Sequence, residues 1–89
     1  MTDPIRNDFT LEPDDGERLS NLVGPLDEHL RQIELRLGVE IANRGNVFRV
    51  LGDERPVQLA TRVLRDLYAL TENEILTAPQ INLHLQESG

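Results

Sequence analysis

The sequence predicts an α+β fold: a three-stranded sheet with helices packed on one face. Three observations carry that reading. Leu26, Leu30, Ile33 and Leu37 recur at spacings of four, three and four, which is one face of an α-helix. Two short apolar runs flank Asn43-Arg44-Gly45-Asn46, a hairpin turn in which Gly45 supplies the positive φ such turns require. Phe9 and Leu11, on one side of a run stopped by Pro13, add a third strand from the N-terminus.

In chain order, residues 1–7 show no periodicity and read as a flexible start. A strand follows over residues 8–12. Asp14 or Asp15 caps a short helix with the stripe Leu19, Leu22 and Val23, ending at Gly24-Pro25. Asp27 is the expected N-cap of the second helix, with Pro25 and Leu26 making the corner. Within it Asp27 with Arg31, and Arg36 with Glu40, are i,i+4 opposite-charge pairs worth roughly 0.2–0.5 kcal/mol each. Gly38 closes that helix, and Val39-Glu40-Ile41 and residues 47–51 form the hairpin strands, ended by Gly52. Asp53-Glu54-Arg55-Pro56 opens a longer helix. Its expected buried face is Ala60, Val63, Leu64, Leu67 and Leu70, with Arg55, Arg62 and Arg65 elsewhere. Beyond Asn73 the pattern weakens. Thr77-Ala78-Pro79 resembles a helix start, yet Ile81, Leu83 and Leu85 at a spacing of two also fit a strand, so both stay open. The expected organisation is therefore a domain over residues 8–73 and a C-terminal segment over residues 74–89.

Eighty-nine residues make one small domain, whose core buries only about 60% of the unfolded surface. Its aromatics are Phe9, Phe48 and Tyr68, so the core is aliphatic. Without cysteine there is no disulfide framework and no thiolate metal site. No apolar run approaches the roughly 18 residues of a membrane helix. The opening MTDPIRNDF lacks the basic-then-apolar order of a signal peptide, so a cytoplasmic protein away from membranes is expected. The net charge of −7 is uneven. Residues 1–17 carry six acids and one Arg, and residues 69–89 carry three acids and no base. Between them eight Arg face seven acids. All nine basic residues are Arg, the side chain better suited to phosphate and stacking contacts, although genomic base composition produces the same bias.

The order of elements, β-α-α-β-β-α, resembles a KH domain, a fold that binds single-stranded nucleic acid over a GxxG loop between its first two helices. The matching loop is Gly24-Pro25-Leu26-Asp27. Its fourth position is Asp in place of Gly and neither middle residue is basic, which weakens a phosphate clamp. The stretch GPLDEHLRQIELRLGVEIANRGNVFRVLG, preceded by ERLSNLV, is similar to the N-terminal region of PhoH-like proteins, from about Phe9 onward. That resemblance implies a KH-like accessory module of a P-loop ATPase linked to RNA metabolism. It also implies ATP and Mg for the ATPase part alone, and a metal-dependent endoribonuclease as a partner. The chain has no Lys and so no G-x-x-x-x-G-K-[ST] loop. It is expected to be a non-catalytic domain fragment, with no cofactor of its own and residues 74–89 leading toward an absent ATPase domain.

The candidate nucleic-acid contacts are Gly24, Pro25, Leu26, Asp27, His29, Arg31, Arg44 and Arg49. Each has a plain structural alternative. The loop is also a helix–helix corner, His29 a solvated helix residue, and the three Arg an ion-paired surface. His84 is the only other histidine and no ligand spacing links the two, so a metal role is unsupported. No carboxylate combines with a nucleophile or base in readable form, which argues against an enzyme. Two functions compete: weak, salt-sensitive contact with single-stranded RNA, or protein docking. The docking partner would be the ATPase domain, the endoribonuclease or a second copy, with acidic termini favouring basic surfaces.

Overall fold

The computed structural model describes residues 3–88. Strands β1 (Ile5–Thr10), β2 (Glu40–Arg44) and β3 (Val47–Gly52) form an antiparallel sheet in the order β1-β3-β2. Helices α2 (Glu28–Leu37) and α3 (Glu54–Leu70) pack on its inner face, and α1 (Gly16–Val23) and α4 (Ala78–Ser88) pack in turn against those two helices. The predicted α+β architecture stands, with a fourth helix added. Among the described residues no helix is long and apolar enough to cross a membrane.

β3 is the central strand, paired with β1 on one edge and β2 on the other; its Phe48 and Val50 point inward and are fully buried, while Val47 and Arg49 point outward. Phe9 pairs opposite Phe48 with ring centroids 6.0 Å apart, and Ile41 pairs opposite Val50. β1 begins at Ile5, where the pattern suggested a flexible start to Asn7. Ladder pairing of Ile5, Arg6 and Asn7 with Gly52, Leu51 and Val50 holds those residues, and the Asn7 amide donates to Thr61 Oγ1 at 2.9 Å. Pairing is non-local and leaves no periodic trace in a polar run.

α1 begins as expected, with the Asp15 carboxylate accepting from the Glu17 and Arg18 amides at 3.0 and 3.2 Å. α3 buries Val57, Ala60, Val63, Leu64 and Leu67, but Tyr68 takes the inward position expected of Leu70, which is exposed. The tyrosine hydroxyl donates to the Pro13 carbonyl, so its polar tip has a partner inside the fold. The Arg18 guanidinium lies 4.5 Å from the Tyr68 ring and donates to Thr71 Oγ1 and the Tyr68 carbonyl. Neither expected ion pair of α2 forms: among the described residues Arg31 has no ionic partner, and Arg36 donates to Asn82 Oδ1.

The segment after Asn73 is helical and part of the same core. Thr77 and Gln80 form a reciprocal cap: Gln80 Oε1 accepts from the Thr77 amide at 3.0 Å, and Thr77 Oγ1 from the Gln80 amide at 3.4 Å. Leu76 before the cap and Ile81 after it are both buried, which fixes the angle at which the chain enters α4. Ile81 and Leu85, four apart, face inward, and Leu83 is exposed between them. Asn21 on α1 ties down the preceding connection, its side chain accepting from the Leu76 amide and donating to the Glu74 carbonyl. Ile81→Ala should therefore cost about 2–5 kcal/mol in chemical denaturation; a loss under about 0.5 kcal/mol would mean that α4 is not core.

Candidate nucleic-acid interface

Between α1 and α2 the chain makes a single 3-10 turn, Pro25–Asp27. Gly24 (φ 76°), Leu26 (φ 54°) and Asp27 (φ 59°) all lie at positive φ, a conformation costing most L-residues roughly 1–2 kcal/mol. The Gly24 position is set by His29. That histidine is buried, contrary to the expected solvated or ligand-contacting side chain. Its Nδ1 lies 3.2 Å from both the Asn21 and Leu22 carbonyls, so this nitrogen carries the proton and serves two acceptors in the last turn of α1. A β-carbon at Gly24 would stand 2.7 Å from Cγ of the same ring.

This corner decides what the loop displays. The helical phase of α2 starts only at Glu28, so Leu26 does not join the stripe with Leu30 and Ile33 and is 93% exposed. Asp27 precedes α2 but its side chain makes no capping hydrogen bond, since its left-handed backbone aims the carboxylate away from the helix amides. Pro25 is exposed beside them.

From Asp27 a groove of about 320 Å³ runs between α2 and the edge strand β2, lined by Asp27, Leu30, Arg31, Glu34, Ile41, Ala42 and Asn43. Glu34 Oε2 accepts from the Ile41 amide at 2.7 Å. That bond shows that the Ile41 backbone faces outward, and the two-residue alternation of the antiparallel ladder makes the Asn43 N–H and C=O face outward as well. The groove thus offers edge-strand backbone donors and acceptors, one guanidinium and two carboxylates. Its local charge is slightly negative.

The sequence-derived residues are therefore not one site. Asp27 and Arg31 line the groove, while Pro25 and Leu26 are exposed in the preceding turn. Gly24 and His29 are buried supports. Arg44 and Arg49 lie on the outer, helix-free face of the sheet, where Arg49 Nε is 3.2 Å from Asp8 Oδ1. Glu34 and Asn43, which shape the groove, escaped sequence reading because only strand pairing brings β2 beside α2.

No protein-family model matches the chain. PhoH-like proteins of Mycobacterium bovis and Mycobacterium tuberculosis are 30% identical to it over 80 residues, covering 90% of this chain. The chain resembles PhoH-like proteins. It spans 22% of the length of those relatives. Among solved structures, Dim2p from Pyrococcus horikoshii superimposes with a TM-score of 0.74 at 12% identity, covering 94% of this chain and 49% of that one. A chain of the a/eIF2alpha–aDim2p–rRNA complex from the same organism gives 0.73 at 12% identity, covering 94% and 46%. A protein of unknown function from Aeropyrum pernix gives 0.75 at 18% identity, covering 99% and 48%. The fold is KH-like, as the element order implied.

The His29 corner is directly testable. His29→Ala strands two carbonyls and should cost about 1–3 kcal/mol in urea denaturation. Gly24→Ala should cost more than about 1 kcal/mol. The double variant should lose less than the sum, because removing the ring removes the clash; strict additivity would exclude the contact.

Proposed function

We propose that this chain is a non-catalytic accessory module of a PhoH-like ATPase that makes weak contact with single-stranded RNA through the α2–β2 groove. The observation that supports it most is the open groove itself. Outward backbone groups of Asn43 and the unpaired Arg31 face a channel whose lining includes Asp27, the last residue of the Gly24-Pro25-Leu26-Asp27 loop. The fold shared with Dim2p, whose structure is also known in a complex containing rRNA, adds to that reading. Asp27 and Glu34 oppose phosphate, and Glu34 already occupies one edge-strand amide, so affinity is low and falls steeply with salt. ATP and Mg belong to the remainder of a PhoH-like protein. With no Lys and no glycine-rich phosphate loop, this chain's own residues do not fit them.

NMR titration of the chain with a short single-stranded RNA at low salt tests the groove. Arg31→Glu should weaken binding roughly tenfold, the loss of about one charged hydrogen bond. Asp27→Gly, which relieves positive φ and removes a carboxylate, should strengthen it. Arg44→Glu, on the other face of the sheet, should change little. Shifts that ignore RNA, or that move on the outer sheet face alone, would refute the proposal.

A second reading, protein docking, is favoured by Leu26. A leucine 93% exposed on a strained backbone gains nothing from its own fold and suits a hydrophobic pocket elsewhere. The ATPase domain, a partner endoribonuclease or a second copy would supply that pocket. Leu26→Ser should then reduce capture of the ATPase domain, or self-association by light scattering, while leaving stability unchanged or slightly raised. Equal capture by both forms would dismiss this reading.

A further inference from the structure

The unpaired positive charge of this acidic chain is concentrated away from the groove. Of nine Arg, Arg6 and Arg49 share Asp8, Arg18 is held by Tyr68 and Thr71, Arg36 donates to Asn82, and Arg31 and Arg44 stand singly in the groove and on the outer sheet face. Arg55, Arg62 and Arg65 all stand exposed on α3, and among the described residues none forms an ion pair. At 100° per residue, all three fall on one outward stripe of α3, opposite its buried Ala60, Val63, Leu64 and Leu67. With a rise of about 1.5 Å per residue, the stripe is roughly 15 Å long. Arg55, Gln58 and Arg62 line a surface depression of about 460 Å³ together with Leu59 and Ser88. Arg65 is held in place by stacking, its guanidinium 5.0 Å from the Phe9 ring centroid. Five acidic side chains border the stripe: Asp53 and Glu54 at the start of α3, Asp66 one turn beyond Arg62 and 3.7 Å from His84 on α4, and Glu12 and Glu72, which line a depression with Arg65.

We infer that the outward face of α3 is a second anion-binding surface, and that its ligand is the phosphate backbone of a nucleic acid. Free guanidinium forks suit phosphate oxygens bidentately. A folded protein partner needs an apolar centre to its interface, whereas this stripe offers Arg, Gln and Ser with only the half-buried Leu59 between them. Strongly positive and polar character is what nucleic-acid interfaces share. The surface is distinct from the α2–β2 groove and does not depend on it. It offers three guanidinium groups where the groove has one, so a strand gripped along α3 needs little affinity from the groove itself.

The test compares the unmodified chain, Arg55→Gln/Arg62→Gln and Arg55→Lys/Arg62→Lys in titrations with a short single-stranded oligonucleotide across a salt series. The neutral pair should lose at least about tenfold in affinity at low salt, and its log–log salt slope should shrink by about 1.4, two phosphates' worth. The lysine pair should keep most of that slope, and circular dichroism should show both variants folded. Unchanged affinity and slope in the neutral pair would overturn the inference. So would a glutamate-rich peptide that perturbs the same α3 amides as tightly as the oligonucleotide does. Arg31→Glu in parallel separates the surfaces: α3 amides that respond while the groove amides stay silent would keep this inference and refute the groove.

Discussion

The ring of His29 occupies the one space between α1 and α2 that a side chain at position 24 would need. From that contact the local architecture follows. The Nδ1–H serves the last carbonyls of α1, so the helix ends at Gly24 without a separate cap. At this corner a 3-10 turn with two left-handed non-glycine residues bridges the helices, and Leu26 and Asp27 are exposed. Asn21 extends the arrangement, because its carbonyl receives His29 while its side chain holds the connection into α4. One short segment of α1 thus joins three helices.

That corner gives the KH-like framework a loop of altered character. The groove beneath it has open edge-strand backbone, yet Asp27 and Glu34 make its charge unfavourable to phosphate. Three further free guanidinium groups lie along α3, a helix already anchored by Val63, Leu64 and Leu67. Shape and charge, which a single nucleic-acid site would be expected to combine, are divided between two surfaces of this small domain.

Much of the fold was legible because its signals are local. The Asp15 cap, the Gly38 terminus, the Gly45 turn and the Leu30/Ile33 face each depend on residues within one turn of one another. The Thr77–Gln80 cap was equally local, but Ile81, Leu83 and Leu85 also alternate, and two periods competed in one short stretch. The candidate site was harder to read. Helical spacing placed Leu26 with Leu30, whereas two left-handed residues broke the phase between them. His29 looked solvated because nothing in the neighbouring sequence announces that two carbonyls of the preceding helix will close over it.

By itself the sequence determined the order of elements through α3, the KH-like pattern and the likeness to PhoH-like proteins, since period, capping and turn chemistry act over a few residues, whereas the core expected to be aliphatic also takes in Phe9, Phe48 and Tyr68. Only the tertiary structure decided that His29 is a buried support, that Arg31 and Arg44 lie on different surfaces, and that residues 78–88 complete the core. Each of those outcomes depends on contacts between segments distant in the chain: β2 beside α2, α4 against α2 and α3, the ring of one helix against the end of another. Burial and pairing at such range are set by the whole packed arrangement, and no local pattern encodes them.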